Sequence, residues 1–166
     1  MKYTILIACL LPLMVAAQDT AAVAECKISR ETDPYTRETR LSSGFISLQG
    51  ASLTIEADKK EIDFFFAVPG KCFSDASTVF IFFEGSKIRT TYRNTGSMNC
   101  EGYFHFIFRN NATEHTVLKK LATQKVAHFE FTGTDKKSQI VSLLPEQQKS
   151  LMDLTACMVS EAKALL

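Results

Sequence analysis

Residues 45–68 read FISLQGASLTIEADKKEIDFFFAV and contain the clearest strand pattern of the chain. Apolar and polar side chains alternate over 45–48 and 52–57, with Gly50 between them, which is typical of β-strands. A charged turn then leads to residues 62–68, an almost continuously apolar run. We interpret the stretch as three antiparallel strands joined by tight turns, with the third strand buried on both faces.

The same pattern extends in both directions along the chain. Towards the N-terminus, the polar residues 27–40 predict one or two edge-like strands that are broken at Pro34. Towards the C-terminus, aromatic, β-branched or alternating runs predict further strands at 79–83, 87–93, 103–109, 126–131 and 140–143. Because tight turns join neighbouring strands, the sheet is expected to be mostly antiparallel.

A short helix is predicted over roughly 114–123, where the apolar spacing changes from the period of a strand to that of a helix. We expect Asn111 or Thr113 to cap its first turn, which also contains Glu114. The apolar side of this helix is formed by Val117, Leu118 and Leu121.

The last segment predicts an amphipathic helix that begins at Pro145 and runs for about 20 residues. Its core-facing residues are predicted to be Leu151, Leu154, Met158 and Ala162. The sequence therefore predicts an α+β fold. It combines a mostly antiparallel, Phe-rich sheet, in one or two layers, with one short helix and a terminal helix packed on it.

Residues 1–17 have the layout of a secretory signal peptide, with a positive start, an apolar middle and small residues at the end. Cleavage is predicted before Gln18, which leaves a flexible lead-in at 18–25 and a single domain at 26–166. The apolar run is shorter than the roughly 20 residues that a membrane-spanning helix needs. Lipidation at Cys9 is a less favoured alternative, because another apolar block follows that cysteine. We therefore expect a periplasmic or secreted protein, with membrane anchoring as the alternative.

Composition excludes some classes of partner. The net charge is +1 and charges of both signs are interspersed, so nothing favours binding to nucleic acid or to an anionic membrane. The chain has 13 phenylalanines, no tryptophan and few glycines and prolines, which is typical of an ordered domain.

Four cysteines follow the signal peptide: Cys26, Cys72, Cys100 and Cys157. An even number in an exported chain predicts two disulfides, for which three pairings exist. We favour Cys72 with Cys100, across a central pair of strands, and Cys26 with Cys157, between the domain start and the last helix. No spacing typical of a zinc site occurs, and we predict no metal or cofactor.

The histidines do not form a recognisable catalytic pattern. His105 and His128 lie in aromatic strands, where a partly exposed or hydrogen-bonded ring is expected, and His115 stands apart. Cys100 shortly before His105 would fit a thiol nucleophile with its base, but Cys100 is expected to be disulfide-bonded, and a disulfide sulfur is not a nucleophile. No hydrolase, phosphate-binding or zinc-protease motif occurs. We predict no catalytic residue.

Two other polar features have plain interpretations. Asp58 and Glu61 flank two lysines and are expected to be solvated in a turn. Asn111, Ala112 and Thr113 match the N-glycosylation acceptor pattern, for which a helix-capping turn is the favoured alternative.

The number of aromatic residues is the distinctive positive feature. Nine of them fall on three predicted strands: Phe64, Phe65, Phe66, Phe80, Phe82, Phe83, Phe104, Phe106 and Phe108. Rings must then lie on both faces of the sheet, and the terminal helix covers only one. The other face needs the N-terminal strands folded over it, a partner protein or an apolar ligand. We favour the second layer and leave the other two open.

A series of residues that begins at Cys72 resembles a known group of proteins. The series comprises Cys72, Asp75, Ser77, Val79, Ile81, Phe83, Glu84 and Gly85, followed by Asn99, Cys100, Glu101 and Gly102. Over residues 60–160 the chain resembles small exported proteins of Bacteroidetes-type bacteria, a group with no assigned activity. The resemblance implies a periplasmic or surface location and no functional residues.

These observations favour a non-catalytic exported binding or accessory module, which holds a protein or peptide partner on a sheet face or edge. The alternative is a carrier of a small apolar ligand in a Phe-lined cavity. A closed core favours the first function, and a void of about 300 Å³ or more favours the second.

Overall fold

A computed structural model describes residues 26–166, so the predicted signal peptide, Cys9, the cleavage site before Gln18 and the lead-in lie outside the described residues. Within this range the strands are β1 (Ser29–Thr32), β2 (Thr39–Leu48), β3 (Ala51–Ala57), β4 (Glu61–Ala67), β5 (Thr78–Phe83), β6 (Arg89–Arg93), β7 (Tyr103–Arg109), β8 (Val126–Thr132) and β9 (Ser138–Ser142). The helices are α1 (Thr116–Thr123) and α2 (Pro145–Lys163). The predicted α+β class is confirmed.

The strands form two antiparallel sheets. The first has the order β1-β2-β3-β4-β7, and the second has the order β6-β5-β8-β9. The predicted hairpins β2–β3, β3–β4 and β5–β6 are all present. Gly50 adopts a φ of +79° in the first of these turns, a conformation that favours glycine.

The phenylalanines are divided between the two sheets, and their rings meet in the middle. Phe66 on β4 lies with its ring centroid 4.9 Å from Phe129 on β8, and Phe104 on β7 lies 5.2 Å from Phe131. The second layer therefore belongs to the same chain. The expectation that the N-terminal strands form this layer is wrong, because β1, β2 and β3 extend the first sheet beside β4.

Strand β4 has one buried face. Ile62, Phe64 and Phe66 are buried between the layers, whereas Asp63 and Phe65 are only half-buried on the opposite side. The prediction that this strand is buried on both faces is wrong. A strand with its outward side chains in contact with water needs only one covered face, as in many antiparallel sheets.

Helix α1 begins later than its predicted start at 114. Its N-cap is His115, whose Nδ1 accepts a hydrogen bond from the backbone N–H of Val117 at 3.3 Å. Neither Asn111 nor Thr113 is the cap, and Glu114 instead pairs with Lys163 of α2 at 3.2 Å. The helix is therefore capped locally by His115, and the Glu114 side chain makes a tertiary contact with α2.

Helix α2 packs against α1, against β2 and β3 of the first sheet and against β8 of the second. The helix and the second sheet therefore cover the same face of the first sheet, and the expectation that they cover opposite faces is wrong. Its buried residues are Gln148, Leu151, Thr155, Met158, Val159 and Ala162. Leu154, predicted to face the core, is only half-buried at the edge of this stripe. Among the described residues, no helix combines the length and the apolar character that crossing a membrane requires.

The predicted disulfide pairing is confirmed. Cys26 pairs with Cys157 at a Cα separation of 5.8 Å and ties the domain start to α2. Cys72 pairs with Cys100 at 3.9 Å. This second bond joins two loops beside the isolated bridge between Phe73 and Asn99, and the expectation that it spans a central pair of strands is wrong.

Candidate functional site

Aromatic rings fill the space between the two sheets. Tyr92 of β6 stacks on Phe106 of β7 with centroids 4.8 Å apart, and Phe66 lies 5.1 Å from Phe131. Phe66, Phe106 and Phe131 are each at most 1% exposed. These rings are in contact with one another across the interface, as in a packed core.

One surface combines aromatic and charged side chains, and we call it the outer face. It is the side of the first sheet that points away from the second, because residues alternate along each strand. Phe64 and Phe66 point inward, so Asp63 and Phe65 point outward. The register places two rows of side chains there: Phe45, Thr54, Phe65 and His105 in one, and Ser42, Glu56, Asp63 and Ile107 in the next.

The aromatic cluster of this face consists of Phe45, Phe65 and Tyr103. Phe45 is 88% exposed and Tyr103 is 44% exposed. The ring of Phe65 lies 5.3 Å from that of Tyr103, and Thr54, between Phe45 and Phe65, is only 8% exposed. Phe65 and Tyr103 therefore form a ring pair, and Phe45 lies in the same row as Phe65, two strands away across Thr54.

A β-bulge turns Phe45 outward. The register shifts between Ser42 and Phe45, where β2 has one residue more than β3. Gly44 in the bulge adopts a φ of +67°, and the Ser43 hydroxyl accepts the backbone N–H of Ile55 at 2.9 Å. Leu41 before the bulge is buried, and regular alternation would bury Phe45 as well. The extra residue reverses the alternation and exposes the ring.

Beside the aromatic cluster lies a hydrogen-bonded histidine–aspartate pair on neighbouring strands. Nδ1 of His105 is 3.1 Å from Oδ2 of Asp63 and 3.3 Å from the hydroxyl of Thr95. Thr95 belongs to the segment after β6 that follows the edge of β7, where its N–H donates to the carbonyl of His105 at 2.9 Å. Burial raises the pKa of Asp63, the charge of His105 opposes this, and the charges of Glu61 and Glu56 add to it.

This arrangement differs from a nucleophilic relay. In such a relay the carboxylate and the hydroxyl bind opposite nitrogens of the imidazole ring. Here Asp63 and Thr95 both face Nδ1. The other nitrogen faces Gly96, where an added Cβ would lie 2.7 Å from Nε2. The geometry therefore positions a hydrogen-bonded His105–Asp63 pair on the sheet surface and not an activated hydroxyl.

Charges on the outer face are unevenly compensated. The register sets Glu31 opposite Arg40 and Glu61 opposite Arg109. It also sets Glu56 directly opposite Asp63, a like-charge pair that is destabilising across neighbouring strands. Oδ1 of Asp63 is buried with no hydrogen-bond partner among residues 26–166. Two carboxyl groups, those of Glu56 and Asp63, thus lie side by side in the row next to Phe45 and Phe65.

The other predicted site residues are dispersed. His115 caps α1, and His128 stacks on Phe82 at 4.2 Å on the outer side of the second sheet. Cys100 is bonded to Cys72, so its sulfur is not a thiol near His105. Within the described range, no group of three or more His, Cys, Asp or Glu side chains could hold a metal ion.

Two polar features from the sequence have defined places. Oδ1 of Asp58 accepts the N–H groups of Lys60 and Glu61, as expected of a charged turn. Asn111 is exposed in the loop between β7 and α1. The helix-capping interpretation of this triplet is wrong, and modification of Asn111 stays a hypothesis.

Sequence reasoning missed Phe45, Asp63 and Thr95 as members of one surface. A glycine inside a run that otherwise predicts a strand can indicate a bulge, and Gly44 is such a signal. No comparable signal brings Asp63 to His105, because their strands are paired across a long stretch of chain.

Comparison with protein-family models, with curated proteins and with solved structures finds no match to this chain. The resemblance to exported proteins of Bacteroidetes-type bacteria stays a hypothesis.

Proposed function

We propose that the protein is a non-catalytic exported module that binds a partner protein on its outer face. The observation that carries this proposal is the aromatic cluster of Phe45, Phe65 and Tyr103, held on a regular sheet with one ring 88% exposed. Contiguous exposed apolar surface on a folded domain marks an interaction site more often than scattered single residues do.

Burial of the aromatic cluster supplies the affinity. Full burial of one large apolar side chain contributes about 1.5 to 3 kcal/mol. Phe45 offers most of its surface for this purpose, whereas Phe65 and Tyr103 are already partly covered. A few central aromatic anchors commonly carry most of the energy of an interface.

The charges define the chemistry of the partner. Because Glu56 and Asp63 repel each other beside the cluster, a lysine or arginine from the partner would relieve this repulsion. The partner is therefore a protein segment with an apolar side chain flanked by basic residues. Binding to such a segment weakens at high salt, because exposed charges are screened.

The two disulfides support the exported location, since such bonds persist in oxidising compartments. The alternative function, a carrier of an apolar ligand, is less well supported, because the rings between the sheets are in contact with one another.

Selection of a random peptide library on the folded domain tests the proposal. We expect the selected peptides to combine an aromatic or aliphatic residue with lysine or arginine. Phe45→Ser should weaken their binding at least tenfold, a loss of about 1.4 kcal/mol. Glu56→Gln should weaken it less and reduce its salt dependence. Ile88→Ser is the matched control, because Ile88 is 73% exposed in the turn between β5 and β6.

The proposal is wrong if the library yields no peptide that binds better than its scrambled version. It is equally wrong if Phe45→Ser and Ile88→Ser bind the selected peptides as tightly as the unchanged domain does.

A further inference from the structure

The two sheets have four edge strands: β1 and β7 in the first, and β6 and β9 in the second. The backbone groups on an open edge can pair with a strand of another chain, and proteins usually protect such edges. The four edges of this domain differ in how they are protected.

The edge of β7 is covered by side chains that take the place of a further strand. The N–H of Tyr103 donates to Oδ1 of Asn99 at 2.9 Å, and the carbonyl of Tyr103 accepts from Nδ2 of the same asparagine at 2.9 Å. The N–H of His105 donates to Oδ1 of Asn94 at 3.0 Å. These bonds use the edge groups that an incoming strand would need.

The edges of β1 and β6 carry charges. β1 has only four residues, and its Arg30 pairs with Glu161 of α2 at 2.9 Å. β6 begins at Arg89 and ends at Arg93, and the guanidinium of Arg89 lies 4.0 Å from the ring centroid of Phe80. Charges on short edge strands discourage pairing with another chain.

Strand β9 lacks these devices. Its sequence, Ser-Gln-Ile-Val-Ser, has no charge and no proline, and Ile140 is 61% exposed. The N–H of Leu143 donates to the carbonyl of Ala127 at 3.1 Å. Every second residue of a strand directs its backbone groups to the same neighbour, so the backbone groups of Val141 and Gln139 also bond to β8. The N–H and C=O groups of Ser138, Ile140 and Ser142 therefore point to the side where no strand of residues 26–166 pairs.

We propose that a second copy of this chain pairs with this edge. The two β9 strands run antiparallel about a two-fold axis at Ile140, and two four-stranded sheets become one continuous sheet. In this register Ile140 lies opposite Ile140 of the second copy, and Ser138 lies opposite Ser142. The proposal goes beyond the proposed function, because the outer face of the first sheet takes no part in it.

Self-complementarity favours a second copy over an unrelated strand. Centred on Ile140, the pairing sets like side chains together, isoleucine with isoleucine and serine with serine, while Gln139 lies opposite Val141. The nearest charge, Lys137, lies opposite Leu143 of the other copy and not opposite a lysine. The pairing thus avoids the like-charge contacts that destabilise neighbouring strands.

The mass of the full mature chain over a range of concentrations, measured by sedimentation equilibrium, tests the association. We expect a concentration-dependent dimer. Ile140→Lys places two charges at the two-fold axis and should raise the dissociation constant at least tenfold. Ile88→Lys is the matched control at another highly exposed isoleucine and should leave the dimer unchanged. Circular dichroism and thermal unfolding verify that both variants fold.

Cross-linking tests the register. Directly opposite residues of a hydrogen-bonded pair have Cα atoms about 5.5 Å apart, within the range of a disulfide. The Ile140→Cys variant should therefore form an intermolecular disulfide on mild oxidation. In the Ser138→Cys variant, the two introduced thiols would lie about four residues apart along the strands, roughly 14 Å, and should not form one.

A monomer at every soluble concentration would overturn the proposal, as would a dimer that Ile140→Lys leaves intact. Equal cross-linking of the two cysteine variants would refute the register. Addition of a foreign strand peptide to β9 of a monomeric chain would also count against a second copy as the occupant.

Discussion

Replacement of Phe66 by alanine removes the ring at which the two sheets meet. Phe66 is 0% exposed, and its ring centroid lies 4.9 Å from Phe129, 5.1 Å from Phe131 and 5.9 Å from Phe106. A Phe→Ala change at a fully buried site costs about 3 to 5 kcal/mol, and edge-on aromatic contacts favour the upper part of that range. Small domains have a free energy of unfolding of about 5 to 15 kcal/mol, so the variant would lose a large part of its stability.

Urea unfolding with the disulfides intact measures this loss, with tyrosine fluorescence and circular dichroism as coincident probes. Phe65→Ala is the matched control one position along β4, because Phe65 points to the outer face and is half-buried. We expect Phe65→Ala to cost less than half as much as Phe66→Ala. Equal losses, or a loss below about 1 kcal/mol for Phe66→Ala, would refute the assignment of the aromatic interface as the main core.

Three further predictions test the helix, the disulfides and the buried carboxyl group of Asp63. Leu151→Ala should cost about 2 to 5 kcal/mol and Leu154→Ala clearly less, because only the first is fully buried; equal losses in urea unfolding would contradict the observed helix face. The unfolded, unreduced mature protein should show no reactive thiol in a titration, whereas joint replacement of Cys26 and Cys157 by serine should cost roughly 3 to 5 kcal/mol in the chain-entropy model. Burial raises the pKa of Asp63 above its ordinary value of 3.8, so the folded state holds this proton more tightly than the unfolded state does. The free energy of unfolding contributed by this carboxyl group is therefore lost as pH rises from 3.8 through the raised pKa of Asp63. Asp63→Asn should remove this decrease from a plot of unfolding free energy against pH, and equal slopes for the variant and the unchanged protein would contradict the prediction.

Local pattern was enough to predict most of the elements. The alternation in residues 45–68 predicted β2, β3 and β4, and the apolar spacing after Pro145 predicted α2. Such patterns are readable because the side-chain period of a strand or helix follows from backbone geometry alone. The cysteine pairing was also predicted, since the sequence positions of the four residues favour one of only three arrangements.

Assignment of strands to sheets was beyond the local pattern. Strands β4, β5 and β7 look alike as Phe-rich runs, yet β7 pairs with β4 in the first sheet and β5 pairs with β8 in the second. The partner of a strand is decided by which pairing buries the most apolar surface in the whole domain, and no short window of sequence contains that comparison. The same limit explains why Asp63 and His105 were not predicted to meet.

Residue patterns alone were enough to predict most strands and both helices, the two disulfides and the apolar stripe of α2 around Leu151. The outward direction of Phe45 depends on strand pairing, because a single extra residue at Gly44 reverses the alternation of β2 relative to β3. Side-chain direction along a strand has a period of two, so one inserted residue moves a ring from the core to the surface. The outer face and the open edge of β9 exist because of such non-local pairing, which is settled only when the whole chain has folded.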